Sequence, residues 1–559
     1  MRYKINILLA FICIQLVVAV LFWYLSANTD LFPSKFAPLV TVNTKQTVFK
    51  EIICNINGDY NVSCRKQADE VFVPFKFLHK YFEVYGKIYE KQGKEVFNWS
   101  HSYANVFVPQ QKYVPQGTFT HFQSYKVEER ERVKCVSATH GVPMSTQWDP
   151  KGYFYPTQIA QYGLSHYSKH LIEPAPVKYV LEDGDIHANW LVPHVDAEVK
   201  YVRDIEINSS VMCFSSVLGN PVTLHSNITL PILSLNLQLK PDNASRFTVT
   251  LENVLEKRTY RVHFICNENY IWANAQDVYY GILCPKNSKK WIKLSRDIFI
   301  DVQKGIMLQT HSKSKTQRSV FRVESIELTG EGCVDNLTSM SSDHMTHFQF
   351  AVDWFVNNQD PSGGWPNPVQ RKMAGSLVLK AGWYSAMGQG HGLSVLARAY
   401  HFSKRKLYLD VAEKALEPFQ KLSKDHGVLA KYMHELPWYE EYPTIPPTFV
   451  LNGFIYSLIG LYDLYKLAPA DISHEAYTLY SQGLNSLKKM LMLFDTGSGT
   501  TYDLRHVTLG IAPRIARWDY HATHVNQLYL LSTFEKDPIF ATTAKRWQGY
   551  MSGKRASHN

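Results

Sequence analysis

The chain has no Gly-x-Gly-x-x-Gly fingerprint, no Gly-x-x-x-x-Gly-Lys-Ser/Thr loop and no Gly-x-Ser-x-Gly elbow. Dinucleotide binding, nucleotide-driven phosphoryl transfer and α/β-hydrolase chemistry therefore lack their sequence signatures. Cysteine is scarce, 8 in 559 residues, and no pair has zinc-ligand spacing. That excludes a disulfide scaffold and a zinc module. Charged residues make up only 19% and hydrophobic ones 45%, which excludes wholesale disorder. No charge dominates: the net +10 is spread over a long chain, so it permits a polyanionic partner without demanding one. Aromatic residues are abundant at 13%, a level that suits both carbohydrate handling and thick cores. The length implies several domains.

From Ile5 to Leu25 the residues are apolar apart from Asn6 and Gln15, and about 20 such residues cross a bilayer as a helix. Arg2 and Lys4 precede the run, whereas Ser26 to Asp30 carries no positive charge. This asymmetry predicts a type II membrane anchor with the remaining chain lumenal. A cleaved signal peptide is the competing reading, although its apolar region is usually shorter, about 7–15 residues. Asn61, Asn98, Asn208, Asn227, Asn243 and Asn336 stand in Asn-x-Ser/Thr triplets, as a lumenal chain allows. With Cys13 in the apolar run, seven cysteines remain, so at least one stays unpaired within the chain. Cys54 and Cys64 are spaced to close a local loop.

The periodicity divides the rest. Residues 26–46 read as a stem. Residues 47–165 hold short Val/Phe/Tyr runs broken by turns and read as a β-hairpin domain with a thin core. Residues 166–340 alternate with period two, as in Leu233–Leu239 and Arg246–Leu251, and predict an antiparallel β-sandwich. Near His344 the period becomes helical: Phe348, Ala351, Val352 and Phe355 share one face. Tyr408, Val411, Ala412, Ala415 and Phe419 repeat that pattern, and further helices read at Leu451–Tyr465, His474–Phe494, His524–Phe534 and Pro538–Met551. Residues 341–559 thus predict helix pairs with functional loops at one end, an α/α barrel or toroid. The fold class expected is α+β multidomain, preceded by one transmembrane helix.

Three loops of the helical region combine acidic, tyrosyl and basic residues: Trp438 to Pro443, Tyr502 to His506, and Arg514 to His521. Singly, each is more simply a solvated loop or a core lid. Together they carry the parts for proton abstraction beside a carboxylate. Guanidinium charge at Arg505, Arg514 and Arg517 is expected to favour the phenolate of nearby tyrosines and to grip a carboxylate or sulfate in forked geometry. Fixed cationic donors offset the charge that such a reaction builds up.

Trp438-Tyr-Glu-Glu-Tyr-Pro443, Phe449-Val-Leu-Asn-Gly-Phe454, Asp495-Thr-Gly-Ser-Gly-Thr500, Tyr502-Asp-Leu-Arg-His506 and Arg517-Trp-Asp-Tyr-His521 closely resemble the heparan sulfate D-glucuronyl C5-epimerase family. The resemblance extends to Gly364-Trp365-Pro366, Gly382 to Met387, Tyr153-Phe-Tyr-Pro156 and Gln161 to Tyr167. It implies a Golgi type II membrane enzyme with a β-hairpin domain, a β-sandwich and a C-terminal (α/α) barrel, assembled as a homodimer. The activity implied is conversion of D-glucuronate to L-iduronate at C5 within N-sulfated heparosan, during heparan sulfate and heparin biosynthesis. Neither an organic cofactor nor a nucleic-acid partner is implied. Tyr442, Tyr502, Tyr520 and Glu441 take the catalytic positions. Substrate contacts fall on Tyr125, Arg130, Arg371, Lys372, Asn452, Tyr456, Arg505, Arg514, Arg517, His521 and Thr523. A structural Ca2+ would sit at Glu182 and Asp335, although Leu181-Glu-Asp-Gly-Asp185 departs from the family's pattern. Two rivals share these residues: a polysaccharide lyase, which begins with the same C5 proton abstraction, and a non-catalytic heparan-binding protein. The three tyrosines together argue against the second.

Overall fold

The computed structural model describes residues 49–559 except 57, 59, 83, 101–103, 243, 285–289, 311–320, 374–375 and 558–559. The expected anchor and stem lie outside the described residues. Among the described residues no helix is long and apolar enough to cross a membrane.

The chain forms two compact units, one ending at Ser100 and one beginning at His101. The first contains the hairpin Lys50–Ile56/Tyr60–Gln67, extended by Glu70–Phe72, then the helix Phe75–Phe82 and the hairpin Tyr85–Lys91/Lys94–Ser100. Cys54 and Cys64 are joined by a disulfide across the first hairpin. Only Cys64 and Val84 are buried among its described residues, so the core is thin.

In the second unit a 20-residue strand, Phe321–Met340, is the spine of the sandwich. Its first half pairs with Val222–Ile228 and Arg246–Asn253. Its second half pairs with Ser209–Ser216, Ile232–Leu239 and Lys178–Glu182. One strand therefore serves both sheets, and the alternate residues Val323, Ile326, Leu328, Val249, Leu251, Val262 and Phe264 fill the space between them. The expected antiparallel order holds except at one place. Arg258–Cys266 and Asp277–Ile282 pair in parallel, because Ile271–Asn274 loops out to the edge and leaves the inner position to the later strand. Cys213–Cys333 and Cys266–Cys284 are disulfides, and Cys135 is the buried free thiol among the described residues. Of the glycosylation triplets, Asn336 is half-buried in the spine and accepts the Thr338 hydroxyl at 3.0 Å, an unsuitable place for a glycan.

The helices His344–Asn357, Ala386–Ser403, Lys406–Lys414, Leu451–Leu467, Ala470–Met490, Trp518–Ser532 and Pro538–Met551 follow. The periodic run Tyr408 to Phe419 is not one helix. It stops at Lys414 and restarts at Glu417–Gln420, where Pro418 has no N–H to continue the ladder. Ala386–Ser403 and Leu451–Leu467 touch backbone to backbone: a Cβ on Gly460 would lie 2.0 Å from the Gly390 carbonyl oxygen. Beside this crossing, Arg398 and Asp463 form a fully buried ion pair at 2.6 Å, and the Tyr113 hydroxyl donates to the same carboxylate at 2.7 Å.

A domain boundary at residue 165 is not observed. The helix Pro156–Ile172 runs through it and packs on His344–Asn357 and Ala386–Ser403. The chain before this helix is shared between two cores. Tyr113, Phe119 and Phe122 insert among the helices, and Cys135, Ala138 and Met144 insert into the sandwich. Only residues up to Ser100 form the separate hairpin unit.

Candidate active site

Four helices begin at one cleft of about 300 Å³. Tyr155 precedes the first helical residue of Pro156–Ile172, Met387 lies in the first turn of Ala386–Ser403, Asn452 in that of Leu451–Leu467, and Asp519 and Tyr520 in that of Trp518–Ser532. Helix starts present the positive end of the peptide dipoles, so the cleft favours an anion. Helical spacing then repeats each contact one turn on: Thr157, Gln158 and Gln161 on the first helix, Tyr456 after Asn452, and Thr523 after Asp519. The segment Tyr125–Arg132 adds Tyr125, Arg130 and Arg132 to the lining.

Glu441 is the buried acid of this cleft. Its carboxylate packs against the start of Leu451–Leu467 at Gly453, where a Cβ would lie 2.3 Å from Oε2, and the Asn452 amide donates to Oε2 at 3.4 Å. Burial pushes the Glu441 carboxyl up to about 7, against the opposing pull of a hydrogen bond from Tyr442 and the charges of Arg371 and Arg514. Tyr442 is also hydrogen-bonded to Tyr502, and the Tyr502 and Tyr520 rings meet edge to face at 4.8 Å. The result is a connected row: Glu441, Tyr442, Tyr502, Tyr520.

Burial raises all three phenols above their ordinary value, and the neighbouring carboxylate Glu441 adds to it. The expectation that guanidinium charge favours phenolates is therefore corrected. Arg371 and Arg514 do lower these values, but desolvation outweighs them. At neutral pH the three hydroxyls are proton donors.

The cationic residues divide. Arg371 lies over the Trp148 ring at 4.3 Å and the Tyr442 ring at 5.1 Å. Arg514 covers Tyr502 and is half exposed. Arg130 donates to Gln161 at 2.8 Å and lies over the Tyr125 ring. Tyr125 is hydrogen-bonded to Tyr456. Lys372 is exposed on the two-residue strand Arg371–Lys372. Arg517 is exposed and lies 3.6 Å from Asp519. Six expected contacts, Arg371, Lys372, Arg505, Arg514, Arg517 and His521, lie outside the cleft lining, as does Tyr502, which joins it through Tyr442. Two of the six are buried against other partners. Arg505 is buried and gripped through Nε by both oxygens of Asp503 at 2.8 and 2.9 Å. His521 is buried between Thr500 at 3.0 Å and the Trp547 carbonyl at 2.8 Å, so it serves the core. Sequence reasoning missed Arg132, Gln147, Tyr155, Thr157, Gln158, Gln161, Met387 and Asp519 as lining residues. A signal existed for Tyr155, Gln161, Met387 and Asp519, which lie inside motifs already singled out.

Glu182 and Asp335 lie on paired strands of the sandwich, away from the cleft. Glu182 accepts the Gly184 and Ala188 N–H groups, each at 3.0 Å, and Asp335 accepts the Ser209 hydroxyl at 3.2 Å. Both carboxylates are buried, and neither is ion-paired among the described residues. Trp190 and Tyr201 also donate to Glu182, Asn236 donates to Asp335, and Lys293 faces Asp335 with opposite charge, so a cation there would have to displace donors. No group of three His, Cys, Asp or Glu residues converges as a metal cage among the described residues.

Comparison with known proteins agrees with this layout. Residues 208–331 match the family described as D-glucuronyl C5-epimerase, β-sandwich domain, and residues 359–549 match D-glucuronyl C5-epimerase C-terminus. A D-glucuronyl C5-epimerase of Caenorhabditis elegans is 38% identical over 556 residues, covering 90% of this chain and 89% of that protein. An uncharacterised protein of Methanocaldococcus jannaschii is 30% identical over 177 residues, covering 30% of this chain and 53% of its own. Among solved structures, a polysaccharide lyase covers 37% of this chain and 54% of its own at 12% identity, with a TM-score of 0.26, too low to bear on the fold. The match to the worm enzyme spans sandwich, helices and cleft alike, and on that ground the chain belongs to the D-glucuronyl C5-epimerase family and is an isomerase acting at C5 of uronate.

Proposed function

We propose that the cleft epimerises glucuronate units inside N-sulfated heparosan, as a step of heparan sulfate and heparin biosynthesis. The observation that carries this reading is Glu441: a carboxylate near half-ionisation at neutral pH, connected to a row of protonated tyrosines, where four helix starts converge. Glu441 removes the C5 proton from one face, and the electron pair moves into the uronate carboxyl group as an enolate. Arg371 and Arg514, whose charges reach Glu441 from beside the lining, and the positive ends of the helix dipoles offset that charge. Tyr520 returns a proton to C5 from the other face and is left as phenolate. Tyr442 and Tyr502, hydrogen-bonded to each other, carry a proton from Glu441 toward Tyr520, and a cleft water completes the transfer to the Tyr520 oxygen, which resets the site. The reverse reaction uses the same groups in the opposite order. Arg130, Arg132, Tyr125, Tyr456, Asn452 and Thr523 bind the flanking sugars and sulfates, with Lys372 and Arg517 at the exposed rim.

The same reading places the chain as a homodimeric, single-pass type II glycoprotein of the Golgi membrane, its helices forming an (α/α) barrel. The disulfides, the exposed asparagines Asn61, Asn98, Asn208 and Asn227 and the apolar N-terminal run support it. Glu182, Asp335 and Ser209 would hold a structural calcium ion that pins the sandwich strands, and a melting temperature unmoved by chelator and by added calcium would remove that part.

Incubation with N-sulfated heparosan in deuterated water tests the function. Deuterium at C5 of both glucuronate and iduronate is expected, without the ultraviolet absorbance of an unsaturated uronate. Such absorbance would make the enzyme a lyase, and no incorporation would make it a binder.

A further inference from the structure

Glu440 immediately precedes Glu441 and is completely buried, yet it lines no part of the cleft. Its carboxylate closes on the turn from Thr448 to Leu451. Oε1 accepts the Phe449 N–H at 2.9 Å, and Oε2 accepts the Thr448 hydroxyl at 3.2 Å. The other side of this turn is bonded to the segment that carries Tyr502. The Thr448 carbonyl accepts the Leu504 N–H at 2.9 Å, and the Tyr502 carbonyl accepts the Leu451 N–H at 3.2 Å. Phe449 has φ 54°, a left-handed conformation that a bulky residue keeps only where its surroundings hold it. The turn then runs directly into Leu451–Leu467, which bears Asn452, Gly453 and Tyr456.

We propose that Glu440 is a positioning residue for the C5 epimerisation. By clamping the Thr448–Leu451 turn, it fixes the Glu441–Tyr442 segment against the Tyr502 segment and so sets the distance between the groups that move protons. This role rests on the assignment of Glu441 and the tyrosines given above. Two adjacent glutamates thereby divide the work: one side chain faces substrate, and the other holds the frame. Proton transfer is sensitive to displacements of about 1 Å, which can lower a rate about 100-fold. Substrate affinity comes from many contacts along a polymer, none of which Glu440 makes. The two kinetic constants should therefore separate. Burial also pushes the Glu440 carboxyl up to about 8, so at neutral pH glutamine reproduces its shape and charge. The amide oxygen keeps the Phe449 N–H bond, and the amide NH2 donates to the Thr448 hydroxyl, which turns to accept.

The test compares Glu440→Ala, Glu440→Gln and Thr448→Val in the full chain, with kcat and KM on N-sulfated heparosan and a melting curve for each. The alanine variant is expected to lose about 10- to 100-fold in kcat with KM held within about twofold. The glutamine variant should recover kcat to within about threefold of the parent, and Thr448→Val, which removes one of the two bonds, should fall between them. A folded alanine variant with parental kcat and only a lowered melting temperature would reduce Glu440 to a structural residue. A raised KM at unchanged kcat in both Glu440 variants would make it a substrate contact. If alanine abolishes folding, Thr448→Val decides, and an unchanged kcat there overturns the proposal. Glu441→Gln and Tyr502→Phe, assayed in parallel, separate the two levels. Should both remain active, the assignment of the reacting groups falls; should both be inactive while Glu440→Ala is unimpaired, only the positioning role falls.

Discussion

Arg514 holds its guanidinium carbon 4.3 Å from the centre of the Tyr502 ring. Its Nη1 stands 3.7 Å from Oδ2 of Asp503, the fully buried carboxylate that also grips Arg505. The cation is thus held over the ring face by a neighbouring acid, and the Tyr502 phenol still lies above its ordinary value because it is buried beside Glu441. Stacking places a counter-charge for a developing enolate without ionising the tyrosine beneath it. In the proposed forward reaction, Tyr502 and its neighbours act as acids.

Tyr502→Phe and Tyr520→Phe remove one hydroxyl each and keep ring and packing. Both variants should fold and bind substrate while kcat falls about 10²–10⁴-fold, the usual worth of general acid–base assistance. Deuterium uptake measured separately on glucuronate and iduronate polymers should distinguish them. A variant that lacks one face's proton carrier exchanges one isomer without interconverting the two. Near-parental turnover in both would show that the proton carriers lie elsewhere.

Glu441 must be ionised to accept a proton, and its folded value is about 7. Activity on glucuronate should therefore fall as pH drops through about 7, and Glu441→Gln should be inactive throughout. Stability should change in the opposite sense. The carboxyl lies above its unfolded value near 4.5, so the native state binds the extra proton between about 4.5 and 7, and stability from this group is lost as pH rises through that window. Glu441→Gln removes the loss. It should be more stable than the parent at pH 8, by on the order of 2–3 kcal/mol, and no more stable below pH 4.5. Denaturant melts at the two pH values check the sign.

Gly453 leaves room for the Glu441 carboxylate. In an ordinary helix, Gly→Ala stabilises by about 1 kcal/mol. Here the new methyl would meet Oε2 at 2.3 Å, so Gly453→Ala should displace Glu441 and lower kcat at least tenfold while the protein stays folded. Parental kcat in a well-folded Gly453→Ala protein would show that the carboxylate position is not critical.

Arg371→Ala and Arg514→Ala should raise KM for the sulfated polymer and flatten its dependence on salt, since each removes a cation from a polyanion site. Arg371→Lys should recover little, because the planar guanidinium is what stacks on Trp148 and Tyr442. Lys404 and Lys406 are exposed at the far end of Ala386–Ser403 and serve as controls. If their alanine variants match the arginine variants, the binding surface lies there instead.

Much of this protein could be read locally. Period two over Leu233–Leu239 and period 3.6 over Phe348–Phe355 are properties of a few consecutive side chains, and they gave the sandwich strand Ile232–Leu239 and the helix His344–Asn357. Motif order was equally local, and it brought Glu441, Tyr442, Tyr502 and Tyr520 to one site. The helix Pro156–Ile172 was hidden because nearly every face of it is buried, which erases the amphipathic signal. What only the tertiary structure decided is which way neighbouring groups face and what burial does to them. Glu440 and Glu441 are identical and adjacent, yet one closes on Phe449 while the other meets Gly453 and the cleft. Arg505 and Arg514 look equivalent in the chain, yet Asp503 buries the first and leaves the second half exposed over Tyr502. The tyrosines rise in pKa despite nearby arginines, because removal from water depends on residues from Trp148 to Tyr520 closing around one space. Composition and spacing name the groups that can carry charge, but the sign and size of each shift come from desolvation, which exists only once distant segments have packed.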